Sequence, residues 1–318
     1  MKYTAISVTL LLFLFAGITL ATSLESKEQT PSNSTAAESS ERTASSKKTN
    51  QQAGGVDQYV NPKAIPTYME LGGESVPLHD QDVRERLDRE LLVNTYWHSK
   101  TLHMIKLSRK YFPVIEPILA EYGVPDDFKY LAMAESGLLN VSSPAGAKGP
   151  WQFMKTAAKQ YKLEVATEVD ERYHLEKSTV AACKYLNAAK ANLGSWSLAA
   201  AAYNAGNSAI KNQLNKQGVD NYYDLYLTTE TSRYVFRILA IKQIHNNLAE
   251  YGFHLDQDDM YWPIETKEVT VSSIPSIPAF ARQHGTTYKQ VKLLNPWLRT
   301  TALSARKSGK KYQVRLPF

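Results

Sequence analysis

Apolar residues recur at helical spacing between residues 82 and 262, and this pattern constrains the fold of the 318-residue chain more than any other feature. In its first turns Val83, Leu87 and Leu91 share one face, with charged residues opposite. Further helices are predicted over 111–122, from 126 onward, and over 178–193, 197–214 and 231–248. No alternating strand pattern interrupts them before about residue 262, so the sequence predicts an all-α domain.

The N-terminal segment has the composition of an export signal. Lys2 precedes a nearly continuous apolar run from Ala5 to Leu20, which predicts a signal peptide over 1–22, cleaved near Ala21 or Ser23. An uncleaved anchor is the alternative. The apolar run is not followed by a cysteine, so a lipoprotein anchor is not expected, and we predict export to the periplasm or cell envelope.

Composition divides the rest of the chain. Residues 23–60 are rich in Ser, Thr, Glu, Lys and Gln, which predicts a disordered linker because such a segment buries too little apolar surface. A main domain is expected over 61–255 and a smaller module over 265–318. The single cysteine, Cys183, excludes an intrachain disulfide and a cysteine-based zinc cluster. The seven histidines contain no i,i+4 pair, and we expect neither a metal nor a cofactor.

Glu135 is the candidate for chemistry. It lies at the end of a predicted helix that begins near Asp126 and stops at Gly137. The helix carbonyls at that end and apolar neighbours such as Leu131 and Leu138 should both raise its pKa above the usual value of about 4.3. A carboxylic acid that stays protonated near neutrality can protonate a glycosidic oxygen. A surface glutamate at a frayed helix end is the alternative.

Residues 141–154 form a loop dense in small residues. Gly146 and Gly149 allow the backbone to approach a ligand, Trp151 offers a flat face for a sugar ring, and Gln152 offers a donor and an acceptor. A phosphate-binding loop is disfavoured, because no strand precedes the loop and no Gly-Lys-Ser/Thr follows it.

Four motifs share the order and spacing of a known family. They are Glu135-Ser136, the Gly-Ala-Lys-Gly-Pro-Trp-Gln stretch ending at Gln152, Ala202-Tyr203-Asn204, and Glu230-Thr231-x-x-Tyr234-Val235. Over about 82–250 the chain resembles lytic transglycosylases with the soluble-lytic-transglycosylase, goose-lysozyme-like domain. The resemblance implies a lysozyme-like helical domain that acts on the glycan strands of peptidoglycan.

The resemblance also implies residue roles. Glu135 would be the single acid and base, first protonating the oxygen between MurNAc and GlcNAc and then accepting the C6 hydroxyl proton as a 1,6-anhydro ring closes. No metal would be required. The residues expected to line the glycan cleft are Ser143, with Ser142 as its alternative, Gln152, Tyr203, Asn204 and Tyr234. Two-carboxylate glycosidases need a second acid, but Glu116, Asp126 and Asp127 are interpreted as solvated or capping positions.

The C-terminal module carries the basic charge. Residues 265–318 hold ten Lys or Arg against two Glu, a net +8, so the remainder carries −2 of the total +6. The predicted βααβ order resembles a LysM domain, carried by Phe280-Ala281, His284-Gly285, Tyr288, Leu294-Asn295 and Ser308-Gly309. Glycan binding and a purely structural appendage are both open. Export argues against nucleic acid as a partner.

These sequence features are compatible with three functions. A monomeric peptidoglycan lytic transglycosylase without a dedicated protein partner is favoured. A hydrolytic muramidase on the same fold would use water in place of the C6 hydroxyl, and a non-catalytic cell-wall-binding protein would cleave nothing.

Overall fold

A computed structural model describes residues 61–306 and 308–318. The predicted signal peptide over 1–22 and the linker predicted over 23–60 lie outside the described residues. The helices are α1 Gln81–Tyr96, α2 His98–Glu121, α3 Lys129–Ser136, α4 Lys155–Gln160, α5 Leu175–Leu193, α6 Trp196–Ala205, α7 Asn207–Gln217, α8 Thr229–Asn246, α9 Ile277–Gln283 and α10 Tyr288–Leu294. The strands are β1 Glu70–Leu71, β2 Glu74–Ser75, β3 Thr266–Val271 and β4 Tyr312–Pro317. Within the described ranges, no helix is long and apolar enough to cross a membrane.

Helix α1 confirms the first periodic segment. Asp80 caps it, accepting a hydrogen bond from the Val83 amide at 3.2 Å. Val83, Leu87 and Leu91 are buried, as their spacing predicts, and this face packs against α8.

The structure departs from the predicted elements in two places. A short antiparallel hairpin, β1–β2, which the sequence pattern does not predict, precedes α1 and interrupts none of the predicted helices. The single helix predicted over 197–214 is two helices, α6 and α7, because Gly206 has φ 91° and ψ 142°. The break places Tyr203 and Asn204 at the end of α6.

Helix α6 forms the centre of the main core. Its residues Leu198 to Ala202 are fully buried, and the helix packs against α5, α7 and α8. The alanines allow neighbouring helices to approach closely. Cys183 on α5 is also buried, and burial raises the pKa of its thiol to about 12.

The C-terminal module has the predicted βααβ order. Strands β3 and β4 pair antiparallel, with Val269 opposite Val314. Buried Asn295 joins α10 to β4, because its side-chain amide donates to the Arg315 carbonyl at 2.7 Å and its oxygen accepts from the Arg315 amide at 2.8 Å. The module has its own apolar core around Ile277, Val291 and the inward face of β4.

Residues 164–176, here called the docking segment, join this module to the helical domain. Val169 and Tyr173 belong to the module's core rather than to the main one. The Asp170 amide donates to the Trp297 carbonyl at 2.9 Å, and the Arg299 amide donates to the Glu168 carbonyl at 2.8 Å. The two parts therefore share a core and a pair of backbone hydrogen bonds.

Candidate active site

Glu135 lies in the last turn of α3, as predicted. The helix begins from a 3-10 turn at Asp126–Phe128 and ends at Gly137, whose left-handed φ of 63° lets its amide donate to the Met133 carbonyl at 2.8 Å. No side chain caps the start of α3, and Asp126 is solvated rather than capping, with 61% of its side chain exposed.

The pKa of Glu135 is raised to about 7. Burial of the carboxyl group is the largest cause, since it disfavours the charged form. The Tyr234 hydroxyl donates a hydrogen bond to Glu135 Oε1 and lowers the pKa, as does the charge of Arg237, whereas the charge of Glu230 raises it. The predicted direction is confirmed, and Glu135 can be protonated in an appreciable fraction of molecules near neutrality.

Contacts between α8 and α1 hold Tyr234, which lies on α8, in place. It is 1% exposed, and Arg233 and Arg237 flank it on α8. The buried carboxylate of Glu90 on α1 lies 2.5 Å from Arg233 Nε and 3.7 Å from Arg237 Nε. These contacts fix the register of α8, and with it the hydroxyl beside Glu135.

Gln152 has a left-handed backbone, with φ 47°, which is uncommon for a residue with a side chain. Its side-chain amide donates to the Gly149 carbonyl at 2.7 Å and to the Val141 carbonyl at 3.2 Å. Because both contacts use the amide nitrogen, the side-chain oxygen is the group Gln152 can present to a ligand.

The predicted sugar-stacking role of Trp151 is wrong. Its side chain is fully buried, and its indole N–H donates to the Thr179 hydroxyl at 2.8 Å. The ring therefore belongs to the core, where a buried indole finds a hydrogen-bond partner. The Trp151 carbonyl accepts from the Tyr203 hydroxyl at 2.8 Å, which ties the loop to α6.

Tyr203 and Asn204 lie half-buried at the end of α6. Burial holds the pKa of Tyr203 well above its ordinary value, so its phenol stays protonated and donates to Trp151. Asn204 Oδ1 accepts from the Thr231 hydroxyl at 2.9 Å, so its amide N–H groups are the donors it can offer a ligand.

Two serines connect the loop. The Ser143 hydroxyl accepts from the Ala147 amide at 3.0 Å, which supports a turn in the loop. Ser136, beside the acid, donates to the Pro150 carbonyl at 2.7 Å, and the sequence reasoning gave it no role although it is part of the first motif. The loop is thereby attached directly to the helix that carries Glu135.

The other acids near α3 are mostly engaged in ion pairs. Glu116 and Asp126 lie 2.8 Å and 2.6 Å from Lys129 Nζ, and Asp127 lies 2.8 Å from Lys242 Nζ. Asp127 is largely buried rather than solvated, which corrects that part of the prediction. Within 61–306 and 308–318, no group of three His, Cys, Asp or Glu side chains could hold a metal ion.

Comparisons with known proteins identify two regions of the chain. Residues 113–225 match the model of the transglycosylase SLT domain. Residues 267–318 match the soluble lytic transglycosylase C-terminal LysM-like domain. The first region contains Glu135, Gln152 and Tyr203, and the second coincides with the βααβ module.

Relatives match over longer stretches. The chain is 27% identical over 243 residues to membrane-bound lytic murein transglycosylase D of Escherichia coli K12, covering 74% of this chain and 52% of that protein, and the O6:H1 strain gives the same values. The chain thus spans about half the length of the curated relatives it matches. An inactive mutant of the lytic transglycosylase Slt from Pseudomonas aeruginosa is 17% identical, with a TM-score of 0.35 over 48% of this chain and 26% of that one.

Proposed function

Because the chain carries a transglycosylase SLT domain and a C-terminal LysM-like domain, we propose that it is a peptidoglycan lytic transglycosylase. It would cleave the bond between MurNAc and GlcNAc without water and leave 1,6-anhydro-MurNAc ends. The observation that carries this proposal is Glu135, a partly buried acid with a pKa of about 7 that lies within the matched residues 113–225 and accepts a hydrogen bond from the Tyr234 hydroxyl.

The first proposed step is protonation of the bridging oxygen. The Tyr234 hydroxyl donates to Oε1 of Glu135, so that oxygen is occupied as an acceptor. The acidic proton is then favoured on Oε2, which gives it a defined direction toward the substrate. Proton donation to the leaving group supports an oxocarbenium-like transition state.

The second proposed step uses the same side chain as a base. Once it has lost its proton, the Glu135 carboxylate accepts the proton of the MurNAc C6 hydroxyl while that oxygen attacks the anomeric carbon. A second carboxylate is then unnecessary, unlike in most glycosidases. The ion pairs of Glu116, Asp126 and Asp127 with lysines support this one-acid scheme.

The other predicted residues would position the glycan. We propose that the Gln152 oxygen and the Asn204 amide bind the substrate's acetamido or hydroxyl groups, since these are the free polar groups their contacts leave. Tyr203 would shape the cleft through the Trp151 carbonyl. Ser143 would act through the loop turn it supports, with Ser142 as the alternative contact.

We further propose a place in the cell envelope, where peptidoglycan is the partner. The LysM-like module is the candidate for a second glycan contact. Arg306, Lys310 and Arg315 pair with acids of the docking segment, so a polymer-binding role would fall to other basic residues such as Lys267, Lys289 and Lys311.

Mass spectrometry of peptidoglycan digested by the full chain tests the proposed reaction. Anhydro-muropeptides are the expected product, because the C6 hydroxyl replaces water. New reducing ends would instead identify a hydrolytic muramidase. Absence of any released fragment, with the protein still bound to the sacculi, would identify a non-catalytic wall-binding protein.

A further inference from the structure

The junction between the C-terminal module and the docking segment is extensive. Trp297 stacks between His174 and Tyr312, with ring centroids 5.8 Å and 5.7 Å apart. Val169 of the docking segment forms an isolated β-bridge with Leu298. Both parts contribute to one apolar core, so the module is held in a fixed position rather than by its linker alone.

Charge complementarity adds to this junction. Glu164 lies 3.0 Å from Arg306 and 2.7 Å from Lys310, and it accepts a hydrogen bond from the Tyr312 hydroxyl at 2.9 Å. Glu171 lies 3.0 Å from Lys310. The acidic side of the junction belongs to the docking segment and the basic side to the module.

Arg172 connects the docking segment to the active-site loop, residues 141–153. The residue is 4% exposed, and its guanidinium binds both carboxylate oxygens of Asp170, at 2.9 Å and 2.7 Å. Its Nη1 also donates to the carbonyls of Gly146 at 3.0 Å and Phe153 at 3.2 Å. The buried Arg172 side chain therefore binds the loop at two points, one before Gln152 and one after it.

The backbone of Arg172 is equally close to the loop. A Cβ atom at Gly149 would lie 1.8 Å from the Arg172 carbonyl oxygen. The backbones of the loop and the docking segment are therefore in contact at a position where only glycine fits. On the opposite side, Ser136 holds the Pro150 carbonyl. The loop is thus fixed between the docking segment and the helix of Glu135.

We propose that Arg172 is a positioning residue for the active-site loop and that docking of the C-terminal module holds Arg172 in place. The inference rests on the proposed function for its catalytic consequence. The module then supports the active site indirectly, because its Trp297 carbonyl fixes Asp170, the partner of Arg172. This role is separate from any glycan contact that the module makes.

Arg172→Lys in the full chain tests the first half of this proposal. A lysine ammonium is a single point donor and cannot hold both Asp170 oxygens and two loop carbonyls. We expect kcat to fall roughly 10- to 100-fold with a smaller change in KM, because misplaced groups lose transition-state contacts. Arg282→Lys is the matched control, since Arg282 is an exposed residue at the end of α9, and it should leave kcat and KM at their wild-type values.

Hydrogen exchange measures the same coupling without any substrate. The amides of Lys148 and Gly149 donate within the loop, to Phe153 and Val141, and should be protected in the wild-type chain. We expect them to exchange roughly 10-fold faster in Arg172→Lys. Unchanged loop exchange together with unchanged kcat would overturn the proposal.

Glu164→Lys tests the second half, because it places a third cation beside Arg306 and Lys310. Glu121→Lys, an exposed reversal at the end of α2, is the control. Faster exchange in β4 accompanied by faster exchange in the active-site loop supports coupling, whereas loosening of β4 alone refutes it. Normal exchange in both regions would also refute a controlling role for these charges. If wild-type protein gives no anhydro product, the proposed function fails while the exchange result still decides the coupling.

Discussion

Glu135 and the glutamates of the docking segment are the same side chain in opposite surroundings. Glu135 is partly buried beside a phenol, and desolvation of its carboxyl group raises its pKa to about 7. Glu176 is also partly buried, but the His174 hydrogen bond and the charge of Arg315 outweigh the desolvation and lower its pKa to about 2. Lysines 177 and 310 likewise outweigh burial at Glu171 and lower its pKa.

The difference shows that burial alone does not decide what a carboxyl group can do. Where cations balance the desolvation, the group stays ionised and holds two parts of the protein together. Where a neutral hydroxyl is the direct partner, the group keeps a proton it can transfer. Three substitutions, studied in four measurements, test this contrast.

Glu135→Gln should have the largest effect. Removal of the acid and base should lower the rate of anhydro-muropeptide release by about 10³-fold, the middle of the range for proton-transfer catalysis. Release of soluble fragments from labelled sacculi measures it. Glu116→Gln, which alters only an ion pair with Lys129, should retain activity, and equal losses in the two variants would argue against a special role for Glu135.

The same substitution should change stability with pH. The folded pKa of Glu135, about 7, lies above its ordinary value of 4.5, so folding favours the protonated form, and ionisation destabilises the fold as pH rises through this window. Tyr234, Tyr203, Arg237 and Glu230 are the titratable or charged groups that act on it or respond to it. Glu135→Gln should therefore be more stable than wild type by up to about 3 kcal/mol above pH 7, with the gain vanishing below about pH 4.5. Urea unfolding across this pH range measures the effect, and a constant difference would contradict it.

Glu176→Gln should show the opposite sign. Because the pKa of Glu176 is lowered in the folded state, its ionised form stabilises the fold at pH values above the pKa it has in the unfolded chain. This stabilisation is lost as the pH falls toward about 2. The variant should be less stable than wild type by about 2 kcal/mol at pH 7, with partial exposure of Arg315 limiting the loss. Urea unfolding of Glu135→Gln and Glu176→Gln across the same pH range measures how the free energy of unfolding of each variant differs from wild type. Differences of the same sign in the two variants would contradict the contrast.

Tyr234→Phe should have the smallest effect. Without the hydroxyl, the Glu135 carboxylate loses a hydrogen bond that lowers its pKa, so the alkaline limb of the pH–rate profile should move to higher pH. The rate below pH 7 should fall by about 10-fold, equivalent to ~1.4 kcal/mol, because the proton is less well directed. A limb that stays in place would mean that Tyr234 does not control the proton.

Local pattern predicted much of this structure. The spacing of Val83, Leu87 and Leu91 gave the buried face of α1, and Gly137 marked the end of α3. Each of these signals depends on neighbours within a turn or two. The position of Glu135 at a helix end followed from the same local information, whereas its raised pKa depends mainly on burial and on contacts with Tyr234, Arg237 and Glu230 of α8, about a hundred residues away in the sequence.

What sequence alone missed involves contacts between distant residues. Trp151 was expected to face a sugar, but Thr179 on α5 provides a buried partner for its indole. The positive charge of the C-terminal module was interpreted as available to anionic polymers, although Arg306 and Lys310 are paired with Glu164. Periodicity along the sequence cannot reveal such pairs. The charged partners are more than a hundred residues apart, and the indole of Trp151 and its partner Thr179 lie in different elements.

The contact of Gly149 with the Arg172 carbonyl limits how this chain can evolve. Every missense change of a glycine codon adds at least a Cβ atom, and here that atom would enter the space of a backbone oxygen. Gly146 also has a positive φ, 88°, but open space surrounds it, so a small polar residue such as asparagine would cost far less there. A substitution at Gly146 can therefore reshape the rim of the loop, whereas any substitution at Gly149 must displace the Arg172 carbonyl.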